Sequence, residues 1–320
     1  MAIMVTGGAG FIGSNLVKKL ISDGEETHVL DNLSSGRIES LESIQRDAKF
    51  HFHKIDLFQK ESLIIPRDCK TVCHLAANPE VRLGITNPEV HFSQNVIATF
   101  NLLEAARKYD VEMMSFASTS TVYGDAAVVP TPEDYSPLEP ISMYGASKLA
   151  CESIISSYAH TYGIKSIIFR LANIIGADSN HGVIYDFTNK LLRDATRLEV
   201  LGDGTQNKSY LHVSDCVSAI VAGHKNAKDA VNVYNVGSAD QVEVRHIAVA
   251  VIEAMGMSPT TAVEFTGGVD NGRGWKGDVK KMLLDVSRIM SIGWKPRYGS
   301  LEAVRLTARE LAQQVLYNTK

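Results

Sequence analysis

The stretch that most constrains the fold is VTGGAGFIGSNL at residues 5–16, where an apolar run passes into closely spaced glycines and then into a helical pattern. Gly7, Gly10 and Gly13 have the spacing G-x-x-G-x-x-G. Directly after a strand, this spacing lets the backbone approach a pyrophosphate at the positive N-terminus of a helix. Tight turns also need glycine, but the strand–turn–helix context favours a dinucleotide-binding turn.

An acidic residue ends the next apolar run. Asp31 closes THVLD, eighteen residues after Gly13. Its carboxylate can accept hydrogen bonds from an adenosine ribose and would repel a 2′-phosphate, which favours NAD over NADP. An aspartate at a strand end is also a common turn-former, and for Asp31 alone both interpretations stay open. Asp56 ends a further strand, after HFHKI, and is predicted to reach the adenine.

Short apolar runs alternate with longer helical patterns up to about residue 176: AIMVT, THVLD, KTVCHLAA, MMSFAS and SIIFRLA. This alternation predicts a doubly wound, Rossmann-like α/β fold with parallel strands and helices on both faces. Glycine-rich turns, isolated strands and a final amphipathic helix follow. We predict a cofactor domain at 1–175, to which residues of about 205–235 return, and a smaller C-terminal α/β substrate lobe at 176–320.

Composition excludes several partners. Among 320 residues, 45% are hydrophobic, and the formal net charge is -4 without any run of Lys and Arg. These features argue against nucleic acid and membrane partners. No targeting or long apolar segment is recognised, so we expect a cytoplasmic protein. The four cysteines are too few and too scattered for a disulfide framework and are expected to be reduced.

Tyr144 and Lys148 stand four positions apart in SMYGASK, in a predicted helix. This spacing places both side chains on one helix face, which can be a plain solvated face or a paired phenol and ammonium. For a tyrosine to remove a proton near neutral pH, its pKa must fall several units from about 10. Lys148 and a second positive group would be needed to lower the pKa that far.

The glycines, Asp31, Tyr144 and Lys148 together resemble the extended short-chain dehydrogenase/reductase family. The resemblance covers nearly the whole chain and extends to HLAA at 74–77, NVIATFNLLEAA at 95–106, FASTSTVYG at 116–124 and RLANIIG at 170–176. Within this family the chain is most similar to the nucleotide-sugar 4-epimerases, above all those of UDP-glucose and UDP-galactose. The resemblance implies NAD as cofactor and a nucleotide sugar, a UDP-hexose, as substrate.

The resemblance also implies the catalytic roles. Tyr144 would be the base, Lys148 would hold the nicotinamide ribose and lower the tyrosine pKa, and Thr119 would hydrogen-bond the reacting hydroxyl. The 4-hydroxyl would be oxidised by NAD⁺, and the hydride would return to the opposite face of the 4-keto sugar. The implied cofactor-binding residues are Gly7, Gly10, Phe11, Ile12, Gly13, Asp31, Asn32, Ser35, Gly36, Asp56, Leu57, Leu75, Ala76, Ala77, Asn95, Tyr144 and Lys148.

Substrate residues are implied less directly. Besides Thr119, the residues expected to contact the nucleotide sugar are Asn173, Gln206, Asn207, Tyr210 and Arg273. Arg273 is the candidate diphosphate clamp, because arginine grips phosphate bidentately. The chain departs from the family twice, with Lys208-Ser209-Tyr210 in place of an Arg-Asp-aromatic triplet and Trp275 in place of the arginine nearer the Gly-Asp pair. The nucleobase and the clamp therefore stay open.

Other constellations are set aside or left open. His51 and His53 share a strand face without a Cys, Asp or Glu at ligand spacing, so no metal site is predicted. Ser118 and His160 invite a hydrolase interpretation, but the chain lacks a G-x-S-x-G elbow. A non-catalytic NAD-binding sensor of the same fold stays an alternative. The hexose also stays open among glucose, N-acetylhexosamine and uronate types, with Met282 expected near the N-acetyl position.

Two further expectations come from the resemblance. Related 4,6-dehydratases and decarboxylases carry an acidic residue just after the catalytic Thr or Ser, where this chain has Ser120 and Thr121. Neither a 4-keto-6-deoxy product nor carbon dioxide is therefore expected. A homodimer is expected, with helices near residues 92–108 and 144–162 paired between the two copies.

Overall fold

A computed structural model of the chain describes residues 2–257 and 261–318, which form two compact units. The first unit comprises the chain up to Val122, then Ser142–Arg170 and Val217–Tyr234. The second comprises Tyr123–Ile141, Leu171–Cys216 and the chain from Asn235 onward.

These bounds differ from the sequence division at 175/176. The second segment of the first unit ends at Arg170, and the segment that returns to this unit later in the chain is 217–234, where about 205–235 was expected. In addition, residues 123–141 belong to the second unit. Long-range hydrogen bonds explain the last difference. The Tyr123 hydroxyl donates to Asn235 Oδ1 at 2.7 Å, and the Thr131 amide donates to Leu283 O at 2.9 Å. No local sequence pattern reveals these partners.

The strands of the described residues are β1 Ala2–Thr6, β2 Glu26–Asp31, β3 Phe50–Lys54, β4 Cys69–His74, β5 Met113–Thr119, β6 Lys165–Leu171, β7 Asn173–Ile175, β8 Arg197–Val200, β9 Asn207–Lys208, β10 Tyr210–His212, β11 Val231–Val236, β12 Val242–Glu243, β13 Ala262–Phe265 and β14 Lys281–Met282. The α-helices are α1 Phe11–Ser22, α2 Leu83–Thr86, α3 Glu89–His91, α4 Ala98–Lys108, α5 Met143–Tyr162, α6 Val183–Arg193, α7 Val213–Asn226, α8 Val244–Ala254, α9 Ser287–Ser291 and α10 Ser300–Asn318. A π-helical segment, Phe92–Ile97, joins α3 to α4, and 3₁₀ turns lie at Ile38–Ile44, Lys60–Ser62 and Ser120–Tyr123.

Seven strands form the main sheet in the order β11-β6-β5-β4-β1-β2-β3. The pairings of β1 with β2 and β4, of β2 with β3, and of β4 with β5 are parallel. The strand order runs outward in both directions from the β1–β4 pair, which makes that pair the topological switch point where ligands of such sheets bind. The doubly wound, Rossmann-like fold predicted from the alternating pattern is confirmed.

Buried apolar side chains fix the layers of the first unit. Met4, Val72 and Met114 lie on one sheet face and belong to one core cluster with Leu102 of α4 and Ile155 of α5. Helix α1 packs against β1 and β2. Burial of this apolar surface on folding is the main stabilising contribution to such a core.

The second unit has shorter sheets, in the orders β10-β7, β12-β9-β14 and β13-β8. Its core combines Phe187 of α6, Ile247 of α8 and Val304 of α10. The final amphipathic helix expected from the sequence is α10. Within the described residues, no helix is long and apolar enough to span a membrane.

Candidate active site

The strands of the first unit end in polar residues at one edge of the main sheet. Thr6, Asp31, His74 and Thr119 are the last residues of β1, β2, β4 and β5. Because these neighbouring strands are parallel, their carboxyl ends meet at a common edge, the usual place for ligands in doubly wound folds. The predicted cofactor residues at 7–13, 31–36 and 75–77 follow or end three of these strands, and those at 56–57 follow β3.

The glycine-rich loop forms a tightly packed cradle, in which side chains at two glycines would clash with the protein's own backbone. Gly7 has a φ of +66°, and a Cβ added there would lie 2.6 Å from the Ala76 amide nitrogen. A Cβ added at Gly13 would lie 2.1 Å from Gly7 O. The loop leads into α1, whose first turn carries no acidic residue to offset its positive end. The cradle therefore fits the pyrophosphate of a dinucleotide, for which close backbone approach and a free helix N-terminus are required.

Asp31 lies beside this loop in a fixed orientation. Its Oδ2 accepts a hydrogen bond from the Ala9 amide at 3.0 Å, and its Oδ1 accepts one from the Leu33 amide at 2.8 Å. The carboxylate thus begins a turn after β2 and also faces the glycine-rich loop, so the two interpretations of Asp31 are compatible. Asp56 is fixed similarly, with Asn32 Nδ2 donating to its Oδ2 at 3.2 Å.

Asp31→Ala is expected to narrow the preference for NAD over NADP by about tenfold or more. The substitution removes the repulsion between the Asp31 carboxylate and the 2′-phosphate of NADP, and about 1.4 kcal/mol of repulsion corresponds to a tenfold difference in affinity. The check is the dissociation constants of both dinucleotides by titration calorimetry. Asp23→Ala is the matched control, since Asp23 is exposed at the end of α1 and pairs with Lys19. A wild-type protein that binds NADP as tightly as NAD would contradict this role of Asp31.

Helix α5 presents the predicted catalytic pair. Ser142 caps the helix by accepting a hydrogen bond from the Gly145 amide at 3.1 Å. Lys148 is buried, its Nζ donates to Ala117 O at 2.8 Å, and it lies 4.5 Å from the centroid of the Phe116 ring. A plain solvated helix face is excluded for Lys148, because a buried ammonium held by a strand-end carbonyl is the opposite of a solvated side chain.

Burial shifts both ionisable groups toward their neutral forms. It raises the pKa of Tyr144 to about 12, and a hydrogen bond with the Thr119 side chain acts in the opposite direction. It lowers the pKa of Lys148 to about 8, opposed by charge interactions with Cys151 and Glu152. The protein's own groups therefore do not lower the tyrosine pKa as the proposed base requires. A further positive charge, such as an oxidised nicotinamide, has to supply the difference.

A buried histidine at the end of β4 escaped the sequence analysis. His74 Nδ1 lies 2.7 Å from Thr6 Oγ1, and its Nε2 lies 2.9 Å from Thr99 Oγ1. Burial, followed by repulsion from Lys148, lowers the pKa of His74 to about 3, so the ring is neutral at physiological pH. The ring bridges β1, β4 and α4 at the site edge. The HLAA segment was the only sequence signal for this residue.

A buried ion pair supports α5 behind Lys148. The Glu152 carboxylate accepts hydrogen bonds from the Ser118 hydroxyl and from Arg170, whose Nη2 lies 2.8 Å away. This contact engages the Ser118 hydroxyl in the protein interior, which leaves the hydrolase interpretation without its nucleophile. Glu152 lies one helical turn after Lys148, a spacing that could have drawn attention to it.

Asn95, a predicted cofactor residue, lies in the π-helical segment, a feature frequent at functional sites. Its Nδ2 donates to Ser147 Oγ at 2.9 Å, and its Oδ1 accepts from the Asn78 amide at 2.8 Å. Ser147 Oγ in turn donates to Tyr144 O at 2.7 Å. In this structure Asn95 therefore fixes the first turn of α5, and a direct cofactor contact stays a prediction.

Within the second unit, paired strands bring predicted substrate residues together. Asn173 of β7 is in register with Tyr210 of β10, and Asn173 Nδ2 donates to Ser209 O at 3.0 Å. Gln206 Nε2 donates to Leu201 O at 2.9 Å. Gln206 Oε1 and Asn207 Oδ1 are buried without hydrogen-bond partners among the described residues, so both amides keep an acceptor for a ligand.

Arg273 does not present a free guanidinium fork. Its Nη1 and Nη2 donate to the two carboxylate oxygens of Asp125 at 3.1 and 2.8 Å, and Nη1 also donates to Asp278 O at 2.5 Å. A diphosphate would have to displace Asp125 before Arg273 could clamp it. Lys208 pairs with Asp278 at 2.5 Å and lies 5.6 Å from the Trp275 ring.

Comparisons with known proteins show the family to which the chain belongs. The model of the NAD dependent epimerase/dehydratase family matches residues 3–237. The UDP-glucose 4-epimerase of Mycolicibacterium smegmatis is 32% identical over 96% of this chain and 97% of its own. A solved UDP-galactose 4-epimerase is 44% identical, with a TM-score of 0.87, and the match covers 98% of this chain and 100% of that structure's chain.

A second solved structure, the UDP-glucose 4-epimerase of Thermotoga maritima with UDP-glucose, is 33% identical with a TM-score of 0.85 over 99% of this chain and 100% of its own. These matches span both units of the chain. The chain therefore belongs to the NAD-dependent epimerase/dehydratase family and is an isomerase that uses NAD as its cofactor.

Proposed function

We propose that the chain is a UDP-glucose 4-epimerase, which interconverts UDP-glucose and UDP-galactose through a 4-keto intermediate. The observation that carries this proposal is the set formed by Thr119, Tyr144 and buried Lys148 at the carboxyl edge of the same sheet that holds the glycine cradle. The full-length similarity to epimerases of these two sugars supports the same substrate pair.

Each residue of the set has a distinct task in the proposed reaction. Tyr144 removes the proton of the 4-hydroxyl as the base and returns it after the sugar has turned. Thr119 Oγ1 accepts a hydrogen bond from the Thr121 amide at 3.2 Å and its side chain also hydrogen-bonds Tyr144, which places it to orient the substrate oxygen beside the base. Bound NAD would supply the acceptor and donor of the C4 hydride, so the net redox change would be zero.

Lys148 has a positioning and electrostatic task. Its Nζ is anchored by Ala117 O, and its remaining N–H groups are available to the nicotinamide ribose implied by the resemblance. A charged Lys148 favours the phenolate of Tyr144, which the buried environment otherwise disfavours. The pair can therefore switch the tyrosine between acid and base within one catalytic cycle.

The residues after Thr119 favour epimerisation over related reactions. Ser120 and Thr121 carry hydroxyls where dehydratases and decarboxylases are expected to have a carboxyl group. Epimerases of UDP-N-acetylhexosamines or UDP-uronates would use the same catalytic set, so they are the alternative within this class. Met282 is buried on β14, and a flexible methionine is compatible with either type of hexose.

The test is a substrate panel in which UDP-glucose, UDP-galactose, UDP-N-acetylglucosamine and UDP-glucuronate, each deuterated at C4, are incubated with the purified protein. We expect an equilibrium mixture of UDP-glucose and UDP-galactose that keeps the C4 deuterium, because the same hydride is returned. Faster turnover of an N-acetyl or uronate substrate would move the assignment to that hexose. A 4-keto-6-deoxy sugar or carbon dioxide would refute the reaction class, and tight NAD binding without turnover would favour the sensor.

The remaining partners and the location stay predictions. Phe100 on α4 and Tyr162 on α5 are exposed aromatic residues on the two helices expected to pair in a homodimer. Light scattering that gives twice the molar mass of the chain would support the dimer. The cytoplasmic location rests on the sequence alone.

A further inference from the structure

A second polar cluster lies at the opposite, amino edge of the main sheet in the first unit. It contains Glu26 and His28 at the start of β2, His51 and His53 on β3, and Asp68 with Cys69 at the start of β4. The candidate active site occupies the carboxyl edge of the same strands. This cluster therefore has no task in the reaction proposed above.

His28 is the central member of this cluster. It is nine-tenths buried, and its Nδ1 lies 3.0 Å from His53 Nε2. Its Nε2 is buried and has no hydrogen-bond partner among the described residues. A buried ring nitrogen without a partner is unfavourable, and it is a ready lone pair for a ligand.

Strand register explains why distant residues meet here. Ala2 of β1 pairs with Glu26 on one side and with Cys69 on the other, and Met4 pairs with His28. Paired residues project to the same sheet face, so Cys69 and His28 share a face across β1. Because Ala2 has only a methyl side chain, side chains from β2 and β4 can approach each other over this end of β1.

We propose that His28, Asp68 and Cys69 bind one transition-metal ion of the zinc type. A ring nitrogen of His28, a carboxylate oxygen of Asp68 and Sγ of Cys69 lie within 4.8 Å of one another. Metal–ligand distances of about 2.0–2.3 Å place the ligand atoms of a tetrahedral site about 3.5 Å apart, so small side-chain rotations complete the site. The fourth position takes a water molecule from the exposed side of Asp68.

The donor set selects the kind of ion. Imidazole and thiolate ligands suit Zn²⁺ and Co²⁺, whereas Mg²⁺ and Ca²⁺ require oxygen ligands. A metal binds the thiolate, so the Cys69 proton is released to solvent on binding. The sequence analysis expected no metal because His51 and His53 have no suitable neighbour in sequence, whereas the three ligands proposed here come from the starts of two strands separated by β1.

A competing set of Glu26, His28 and His51 is less suitable. The rings of His28 and His51 are stacked, with centroids 4.5 Å apart and an interplanar angle of 24°. Lone pairs of imidazole lie in the ring plane, so stacked rings direct them side by side and not at a common ion. His51 Nε2 and Glu26 Oε1 already form a pair at 3.0 Å.

The experiment titrates Co²⁺ into the full-length, NAD-loaded protein under a non-chelating phosphine reductant. We expect one equivalent to bind with a thiolate-to-cobalt charge-transfer band, with intense visible bands of tetrahedral Co²⁺, and with release of one proton. Zn²⁺ should displace the cobalt and bleach these bands. The NAD content should stay unchanged, because the site lies at the edge remote from the glycine cradle.

Variants distinguish the proposed ligands from their neighbours. Cys69→Ser should abolish the charge-transfer band, and His28→Gln and Asp68→Asn should each weaken binding by at least about 10–100-fold. Cys73→Ser on the same strand and His51→Gln on β3 are matched controls that should bind normally. Asp68 is exposed, so Asp68→Asn keeps the test valid if a variant of a buried ligand does not fold.

The proposal is overturned if the wild-type protein binds no stoichiometric Co²⁺, or if the charge-transfer band persists in Cys69→Ser. Loss of binding in His51→Gln together with normal binding in Cys69→Ser would assign the metal to the Glu26 set instead, which also refutes it. None of these outcomes depends on the epimerase reaction, because no readout uses the sugar substrate.

Discussion

Tyr144→Phe is expected to lower turnover by about 10²–10⁴-fold, the range associated with a positioned acid–base group. The substitution removes only the hydroxyl and keeps the ring that contacts His91 edge-on at 5.8 Å between centroids. Affinity for UDP-glucose should change little, because the Tyr144 hydroxyl takes part in the proton transfer and does not contribute to binding of the nucleotide. Steady-state kinetics, with substrate binding measured by calorimetry, test both parts of the expectation.

The same helix offers a matched control. Tyr158 is buried, and its hydroxyl donates to Glu104 Oε1 at 2.7 Å. Tyr158→Phe makes the same chemical change about four turns further along α5 and should lower the free energy of unfolding by about 1.5–3 kcal/mol, the range for a hydrogen bond to a charged group. Its turnover should equal that of the wild type. A Tyr144→Phe protein that retains half of the wild-type activity would refute the proposed mechanism.

The sequence predicted the parts of the site that depend on short-range signals. Gly7, Gly13 and Asp31 belong to one strand–turn–helix–strand segment, in which glycine spacing and the strand end suffice to anticipate the cradle. Tyr144 and Lys148 are neighbours on one helix face. In each case the partners lie within a few turns or one crossover of each other, so local geometry determines their approach.

Contacts between distant segments could not be predicted in the same way. The Ala117 carbonyl that holds Lys148 lies 31 residues away along the chain, and the Arg273–Asp125 ion pair spans 148 residues. From the sequence, Arg273 was expected to have a guanidinium group free to bind a diphosphate. In the structure that group is paired with the carboxylate of Asp125. For the same reason the proximity of Cys69 and His28 could not be predicted, because neither strand order nor register can be read from the apolar pattern alone.

Burial is the second property that the sequence did not reveal. The resemblance implied that Lys148 lowers the pKa of Tyr144, whereas the structure adds that the surroundings of both groups disfavour charge. Glu152 lies within the same interior, where its charge acts to raise the pKa of Lys148. A charged Lys148 in the proposed catalytic pair therefore costs folding free energy, a conflict common at functional sites.

Lys148→Met tests this conflict, because activity and stability should change in opposite directions. Turnover should fall by about 10²-fold or more, NAD should bind more weakly, and activity should shift to higher pH, since the phenolate loses its cation. Tyr144→Phe should instead lower activity at every pH. The methionine keeps most of the buried aliphatic stem, so loss of packing does not obscure the comparison.

The expected gain in stability follows from the pKa of Lys148. Burial lowers it from 10.5 to about 8 in the folded protein, so the unfolded chain binds more protons between these values. Wild-type stability should therefore rise with pH through this window, and the full penalty of about 3 kcal/mol applies below it. Methionine removes the penalty but leaves Ala117 O without its donor, which costs about 1–2 kcal/mol.

We therefore expect Lys148→Met to raise the free energy of unfolding at pH 7 by about 1–2 kcal/mol, the difference between the penalty removed and the hydrogen bond lost. Near pH 10 the wild-type penalty has largely disappeared, so the advantage of the variant should vanish or reverse. Urea unfolding of both proteins, stripped of NAD and followed at several pH values, measures the difference. A variant less stable than the wild type at pH 7, with the same pH dependence, would show that Lys148 is charged without penalty and that burial does not oppose its role.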